Sequence, residues 1–235
     1  MKTQKKFLIA AATLLALSVS SQAAVVISQF NFTGNSGASS DTETITNTSN
    51  ITAGAGISGS LFANDRLEVR GNETTAVNSN NTLASQQPPA IAADDYVTFT
   101  VTVPVGQVMS LTTLDYKWAT QNAYRQSFGI YSDKTGFTYA NILDGLHQSG
   151  GSGTTGSMTA FTGRSIDLSG FASLQDLTDT TVEFRFYITH PQSSSNLRAW
   201  AFDDIVLSGT VEVIPEPTTA LLGGLGMLAL LRRRR

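Results

Sequence analysis

The sequence predicts an all-β fold, an antiparallel sandwich of two sheets, because apolar and polar residues alternate along several short segments. The alternation is strictest over residues 96–103 and 182–188, where every second residue is Val, Phe or Ile. A period of two with β-branched and aromatic residues is typical of strands with one buried face. We therefore expect eight side chains to face the core between the sheets: Val97, Phe99, Val101, Val103, Val182, Phe184, Phe186 and Ile188.

Aromatic residues on other alternating segments are also expected in the core. Tyr116 and Trp118 share one strand face with Leu114, and Trp200 stands among small and apolar residues. Residues 25–32 indicate a first strand in which the alternation shifts by one position, so we expect an irregularity in its middle. Both patterns fit the sandwich.

Turn residues separate the predicted strands. Residues 133–136, Asp-Lys-Thr-Gly, are predicted to connect a strand ending at Tyr131 to one starting at Phe137 as a hairpin. Two polar stretches, residues 34–59 and 78–93, are rich in Ser, Thr, Asn and Gly or poor in periodic apolar residues. They are interpreted as long loops or weak edge strands.

The N-terminus has the pattern of a signal peptide. Three lysines among the first six residues precede an apolar run over residues 7–17. Ser21 and Ala23 then place small residues at the two positions that signal peptidase reads. We expect residues 1–23 to be the signal peptide, with cleavage after Ala23.

The C-terminus carries three elements in order. Residues 220–231 are an apolar run, preceded by Pro215, Glu216 and Pro217 and followed by Arg232, Arg233, Arg234 and Arg235. A helix over residues 218–231 would rise roughly 20 Å, short of the roughly 30 Å of a hydrocarbon core, and three glycines weaken it. A processed signal is therefore favoured over the alternative, a permanent single-span anchor.

A proline-bracketed glutamate, an apolar stretch and a terminal basic cluster resemble the PEP-CTERM sorting signal of Gram-negative bacteria. The resemblance implies that residues 214–235 are read by exosortase, a membrane protease-transpeptidase. It also implies an exported protein of the cell envelope, the cell surface or an extracellular exopolysaccharide matrix. The C-terminal helix would hold it in the inner membrane only until processing. Residues 24–213 then form one β-sandwich domain.

Charge and cysteine content narrow the function classes. Without the two terminal signals, which hold seven basic residues and Glu216, 8 basic residues face 17 acidic ones, a net charge of −9. Nucleic-acid binding requires the opposite sign, so this class is excluded. The chain has no Cys, hence neither disulfides nor a thiolate site. The domain must depend on its hydrophobic core.

A second resemblance covers most of residues 24–213. Residues 95–102, 127–137, 183–187 and 202–209 read DYVTFTVT, SFGIYSDKTGF, EFRFY and FDDIVLSG. In this order they resemble the jelly-roll domains that are common in PEP-CTERM proteins and similar in shape to carbohydrate-binding modules and concanavalin-like sandwiches. The resemblance implies a fold and leaves the activity open.

No catalytic motif is apparent, so the protein is expected not to be an enzyme. His147 and His190 stand without a triad or metal-binding pattern. Glycoside hydrolysis requires two carboxylates, and Glu183 lies on the polar face of a predicted strand. The alternative reading is therefore a secreted carbohydrate-active enzyme of sandwich fold, similar to glycoside hydrolases.

Two further sites complete the predictions. Asp203 and Asp204 begin the last strand, where jelly-roll sugar-binding modules often hold a structural Ca²⁺; the alternative is a turn cap or an ion pair with an arginine. Tyr124 and Tyr187 are the aromatic residues expected to be exposed, and hence candidates for stacking on sugar rings. The expected role is structural or glycan-associated, with exosortase, signal peptidase and an exopolysaccharide as partners.

Overall fold

The computed structural model describes part of the chain, and the strands account for most of that part. The described residues are 23–30, 42–43, 52–53, 57–58, 66–71, 82–120, 126–148, 161–189, 200–214, 226–227 and 229–232. The principal strands are β1 (Val25–Phe30), β6 (Tyr96–Thr102), β7 (Gln107–Thr120), β8 (Gln126–Ser132), β9 (Asp144–Gln148), β10 (Thr162–Asp167), β12 (Thr181–Ile188) and β13 (Trp200–Val213). The shorter strands are β2 (Thr42–Glu43), β3 (Thr52–Ala53), β4 (Ile57–Ser58), β5 (Leu67–Gly71) and β11 (Leu177–Thr178).

The strands form two antiparallel sheets. The first runs β10-β7-β13-β1-β2, with β11 paired to β7, β5 paired to β13 and β4 paired to β5; the second runs β3-β6-β12-β8-β9. Among the eight principal strands, the first pairs with the eighth, the second with the seventh, the third with the sixth and the fourth with the fifth. This nested pairing is the topology of a jelly roll. The predicted all-β, two-sheet sandwich is therefore confirmed.

The core lies between the sheets where the alternation predicts it. All eight predicted side chains are at most 2% exposed and belong to one hydrophobic cluster. The register of β12 on β6 sets Phe184 opposite Phe99, and their rings stack with centroids 5.0 Å apart. Tyr116 and Trp200 are also buried, and Trp118 packs against the same cluster. A slip of one residue would bury threonines and charged side chains instead.

The predicted irregularity in the first strand is present. The pairing of β1 with β13 shifts register between Val26 and Ser28, so that Ile27 and Phe30 both reach the core. β13 has two irregularities of its own in its pairing with β7, after Asp203 and after Ser208. Bulges of this kind increase twist and change the direction of side chains.

The prediction that residues 78–93 form a loop or an edge strand is wrong, because residues 83–92 form a helix. This helix, α1 (Leu83–Ala92), contains Pro88 and Pro89. At its start, the Thr82 backbone N–H donates to Ser85 Oγ at 2.9 Å. Proline inside a helix removes backbone hydrogen bonds and opposes helix formation, so tertiary packing must stabilise α1.

Helix α1 packs on the outer face of the second sheet, next to β8. Gln86 and Gln87 are buried there. The Gln87 amide donates to Ser127 Oγ at 3.1 Å, and Gln86 Oε1 accepts from the Thr189 hydroxyl at 3.2 Å. These bonds satisfy the Gln87 amide N–H and the Gln86 amide oxygen, which lowers the cost of burying the two side chains.

The predicted strand from Phe137 is also wrong. The turn at residues 133–136 forms, with the Gly136 N–H donating to the Ser132 carbonyl at 2.8 Å, but the next strand begins only at Asp144. Phe137 and Ile142, in the intervening segment, instead pack on the outer face of the second sheet, over a cluster of Ala90, Tyr131 and Tyr187. The pattern misled because these apolar residues cover a sheet and do not extend one.

Candidate functional site

The C-terminal segment leaves the sandwich directly from its last strand. Val213, the final residue of β13, pairs with Gln107 at the start of β7. The next N–H, of Ile214, donates to the Gly106 carbonyl at 2.7 Å. The turn between β6 and β7 thus holds the backbone of Ile214, the first residue of the predicted signal. The fold therefore determines where the sorting segment leaves the sandwich.

Beyond Ile214 the structure describes only a few residues. Residues 226–227 and 229–232 are helical and exposed, and Arg232 is among them. Pro215, Glu216, Pro217, Arg233, Arg234 and Arg235 lie outside the described residues. Within the described part of the chain, no helix is long and apolar enough to cross a membrane.

At the other terminus, the described chain begins at Ala23. Ala23 and Ala24 are exposed and immediately precede β1. An exposed backbone without regular structure is accessible to a peptidase. Ser21 and the rest of the predicted signal peptide lie outside the described residues.

A charged and aromatic cluster occupies the outer face of the second sheet. The Arg185 guanidinium carbon lies 4.1 Å from the centroid of the Tyr96 ring and 4.0 Å from that of Phe137, so both rings contact the cation. Arg185 Nε donates to Glu183 Oε1 at 2.7 Å, and a terminal nitrogen donates to the Tyr187 hydroxyl at 2.9 Å. We call these five residues the Arg185 cluster.

The Arg185 cluster is fixed in one geometry and keeps its charge. Burial opposes the charged form of Arg185, but the hydrogen bonds to Glu183 and Tyr187 outweigh burial and raise the pKa of the guanidinium. The side chains of Arg185 and Glu183 stay 20% and 27% exposed, so both remain accessible from solvent. In the sequence, Glu183, Arg185 and Tyr187 were recognisable as one strand face; the contributions of Tyr96 and Phe137 come from long-range packing.

Tyr187 is not the exposed aromatic residue that the sequence predicts. It is 1% exposed, because Tyr96, Tyr131 and Phe137 pack against its ring. The expectation that its ring is free to stack on a sugar is therefore wrong. Burial raises the pKa of its phenol, and hydrogen bonding to Arg185 opposes that shift. Tyr124 lies outside the described residues.

Asp203 and Asp204 lie at a bulge of β13, and Asp204 forms an ion pair with Lys117. Asp204 has a positive φ of 46°, and its Oδ2 lies 2.5 Å from the Lys117 ammonium. Asp203 Oδ1 accepts the Asp204 N–H at 2.8 Å. In the part of the chain that the structure describes, no three His, Asp or Glu side chains come together as metal ligands. An ammonium beside the carboxylate opposes a second cation.

Another polar cluster connects the two sheets at one edge. Arg164 on β10 donates twice to Asp144 on β9, at 2.8 and 2.6 Å, and the buried Tyr116 hydroxyl donates to the same carboxylate at 2.6 Å. Burial first, and then the Asp144 carboxylate, raises the pKa of Tyr116 above its usual range. No local sequence pattern indicates this cluster, because its members come from three strands.

The C-terminal segment matches a known protein family. Residues 213–235 match the family described as the PEP-CTERM protein-sorting motif. The chain is thus an exported protein of the kind that an exosortase processes, and its exported domain is a jelly-roll sandwich.

The comparisons of the whole chain give only remote similarities. No curated protein matches it. A CBM4 structure is 11% identical, with a TM-score of 0.36 over 69% of this chain and 87% of that one. A family 29 carbohydrate-binding module variant is 11% identical, with a TM-score of 0.36 over 79% and 91%. The K3 cleaved adhesin domain of Lys-gingipain from Porphyromonas gingivalis W83 is 12% identical, with a TM-score of 0.32 over 76% and 88%.

Proposed function

We propose that this protein is a non-enzymatic component of the cell surface or extracellular matrix, with a structural or glycan-associated role. An exosortase releases it from a transient inner-membrane anchor. The observation that carries this proposal is the direct continuation of β13 into the sorting motif, at the hydrogen bond between Ile214 and Gly106. The sandwich is thereby the part that is delivered.

The state of the described carboxylates supports a non-enzymatic role. A glycoside hydrolase needs two carboxyl groups on either side of the scissile bond, roughly 5–10 Å apart. Four carboxylates that could serve are held in ion pairs: Asp133 with Lys134, Asp144 with Arg164, Glu183 with Arg185 and Asp204 with Lys117. The acid and the base of such an enzyme must face the scissile bond, whereas each of these four carboxylates faces a cationic side chain of its own domain.

The Arg185 cluster is the surface we propose for glycan contact. Arg185 and Glu183 present donors and acceptors in fixed positions, and the half-buried Tyr96 and Phe137 border them with apolar ring edges. Sugar hydroxyls need such polar partners, and the apolar faces of sugar rings need neighbouring apolar surface. Because the cluster is preorganised, little conformational entropy is lost on binding.

A glycan array tests this part of the proposal. The purified domain, residues 24–213, is applied with and without Ca²⁺, as wild type and as the near-isosteric Glu183→Gln. Lys117→Ala, on the other sheet, is the matched control. We expect wild type and Lys117→Ala to bind the same glycan class and Glu183→Gln to bind it more weakly.

Two results would count against the glycan surface. If all three proteins bind no glycan, the glycan-associated role is wrong and a structural role remains. If Lys117→Ala loses binding while Glu183→Gln keeps it, the binding surface lies on the first sheet. Binding that requires Ca²⁺ would show that the calcium prediction merits a search beyond Asp203 and Asp204.

A further inference from the structure

The turn between β6 and β7 presents an apolar residue at its most exposed position. Gln107 N–H donates to the Pro104 carbonyl at 3.2 Å, and Gly106 has φ of 79°. This matches a type II turn, which requires a positive φ at its third residue and therefore favours glycine there. The turn places no such requirement on its second residue, Val105, which is 82% exposed. Backbone geometry thus does not explain an apolar side chain there.

Exposed apolar side chains collect at this end of the sandwich. In the part of the chain that the structure describes, the exposed large hydrophobic residues up to Ile214 are Val25, Val105, Val213 and Ile214, and the others lie further along the sorting segment. Val213 and Ile214 adjoin Val105 through the bond to Gly106. We call Val105, Val213 and Ile214 the apolar tip; Val25 lies four residues back along β13, where it pairs with Gly209.

Both terminal signals join the domain at the same end. Val25 pairs with Gly209, four residues before Val213, and β1 is antiparallel to β13. The residues that precede Val25 therefore run towards the level of Val213. Export signals at both termini would hold the domain by the apolar tip and leave its other end free.

The sorting segment places the apolar tip close to lipid. Residue 220 begins the apolar run, only six residues after Ile214. Six extended residues span roughly 20 Å at most. Part of that length must cross the headgroup layer before the apolar run enters the hydrocarbon core, which is about 30 Å thick. An anchored chain therefore keeps the tip within reach of the boundary between headgroups and acyl chains, where apolar side chains are removed from water.

We infer that the apolar tip is a membrane-contact surface, which rests in the headgroup layer of a lipid bilayer while the sorting segment anchors the chain. This inference rests on the anchored stage in the proposed function. Glu212 and Asp179, both exposed and close to the tip in the sheets, carry negative charge. Attraction to anionic lipids therefore does not drive the contact; burial of apolar surface does.

A single introduced cysteine tests the contact. The chain has no Cys, so Val105→Cys offers one site for an environment-sensitive fluorophore on residues 24–235, the chain that remains after removal of the signal peptide. Ser165→Cys, exposed on β10 opposite Asp115, is the matched control, roughly 25 Å away along β7. Both proteins are reconstituted with protein-free phosphatidylcholine vesicles, and flotation measures anchoring separately.

The expected result is an emission shift to shorter wavelength, with quenching by a headgroup nitroxide lipid, for the label at residue 105 and not at 165. A chain that floats with vesicles while its 105 label stays in water overturns the tip contact and leaves the anchor intact. A chain that does not float contradicts the anchor itself. If the 105 label is shielded only when exosortase is in the bilayer, the tip binds the protease, and the lipid inference is wrong.

Discussion

Replacing Phe184 by alanine should strongly destabilise the sandwich. Phe184 is 0% exposed, stacks on Phe99 with centroids 5.0 Å apart, and lies in the cluster between the two sheets. Removing a buried aromatic side chain costs roughly 3–5 kcal/mol, because transfer energy is lost and a cavity remains. The stacked pair accounts for about 0.5–1.5 kcal/mol beyond the buried area, which places the expected loss towards the upper part of that range.

Thr100→Ala is the control for this prediction. Thr100 is on the same sheet, opposite Glu183 on the outward face, and is half-buried. Its cross-strand contact is worth about 0.2–1 kcal/mol, well under half of the loss expected for Phe184. The comparison therefore isolates the inward direction of Phe184.

Guanidinium titration of the domain, followed by tryptophan fluorescence, measures both variants. Phe184→Ala should lower the midpoint with the slope unchanged, and its melting temperature should fall by roughly 6–20 °C for a domain of this size. Equal losses for the two variants would refute the assignment of faces. A changed slope would show that the variant has altered the compactness of one of the two states.

Three further outcomes are expected. Burial and Asp144 raise the pKa of Tyr116, so above about pH 10 only the unfolded chain releases the phenol proton. The free energy of unfolding should therefore fall as the pH rises, and it should fall less in Tyr116→Phe. Full phenolate absorbance in a domain that is still folded would contradict this. Gly209→Ala should lower the free energy of unfolding by roughly 1–3 kcal/mol, because a Cβ at residue 209 would overlap the backbone of β7. Gly163→Ala is the control and should be near neutral, because a Cβ there meets open space. Thermal denaturation measures both variants. Arg164→Met should lower the free energy of unfolding by about 1–3 kcal/mol, because it removes the side chain that donates two hydrogen bonds to Asp144. No loss in the same assay would show that this contact between the sheets does not stabilise the domain.

The sequence predicted those parts of the fold in which local periodicity equals local structure. The faces of β6 and β12 follow from alternation, since neighbouring side chains in a strand point to opposite sides. The bulge of β1 follows from the one-residue shift between Ile27 and Phe30. The tail could be recognised because its three elements are contiguous.

Other features could not be predicted because they arise from long-range packing. Helix α1 contains two prolines and few periodic apolar residues, and it is stabilised by its buried contacts with β8. Those contacts, with the segment around Phe137, cover part of the outer face of the second sheet and bury Tyr187. Alternation shows that a strand has two faces, but it cannot show that both are covered.

The mass of the surface protein tests the central claim, that the chain is an exosortase substrate. Wild type is compared with a variant in which Pro215, Glu216 and Pro217 are all alanine, which leaves the apolar run and the terminal arginines unchanged. Intact-mass measurement of surface, secreted and inner-membrane fractions should show wild type shortened at its C-terminus outside the membrane and the variant at full C-terminal length within it. Wild-type surface protein that still ends at Arg235, or a variant processed like wild type, would contradict the account.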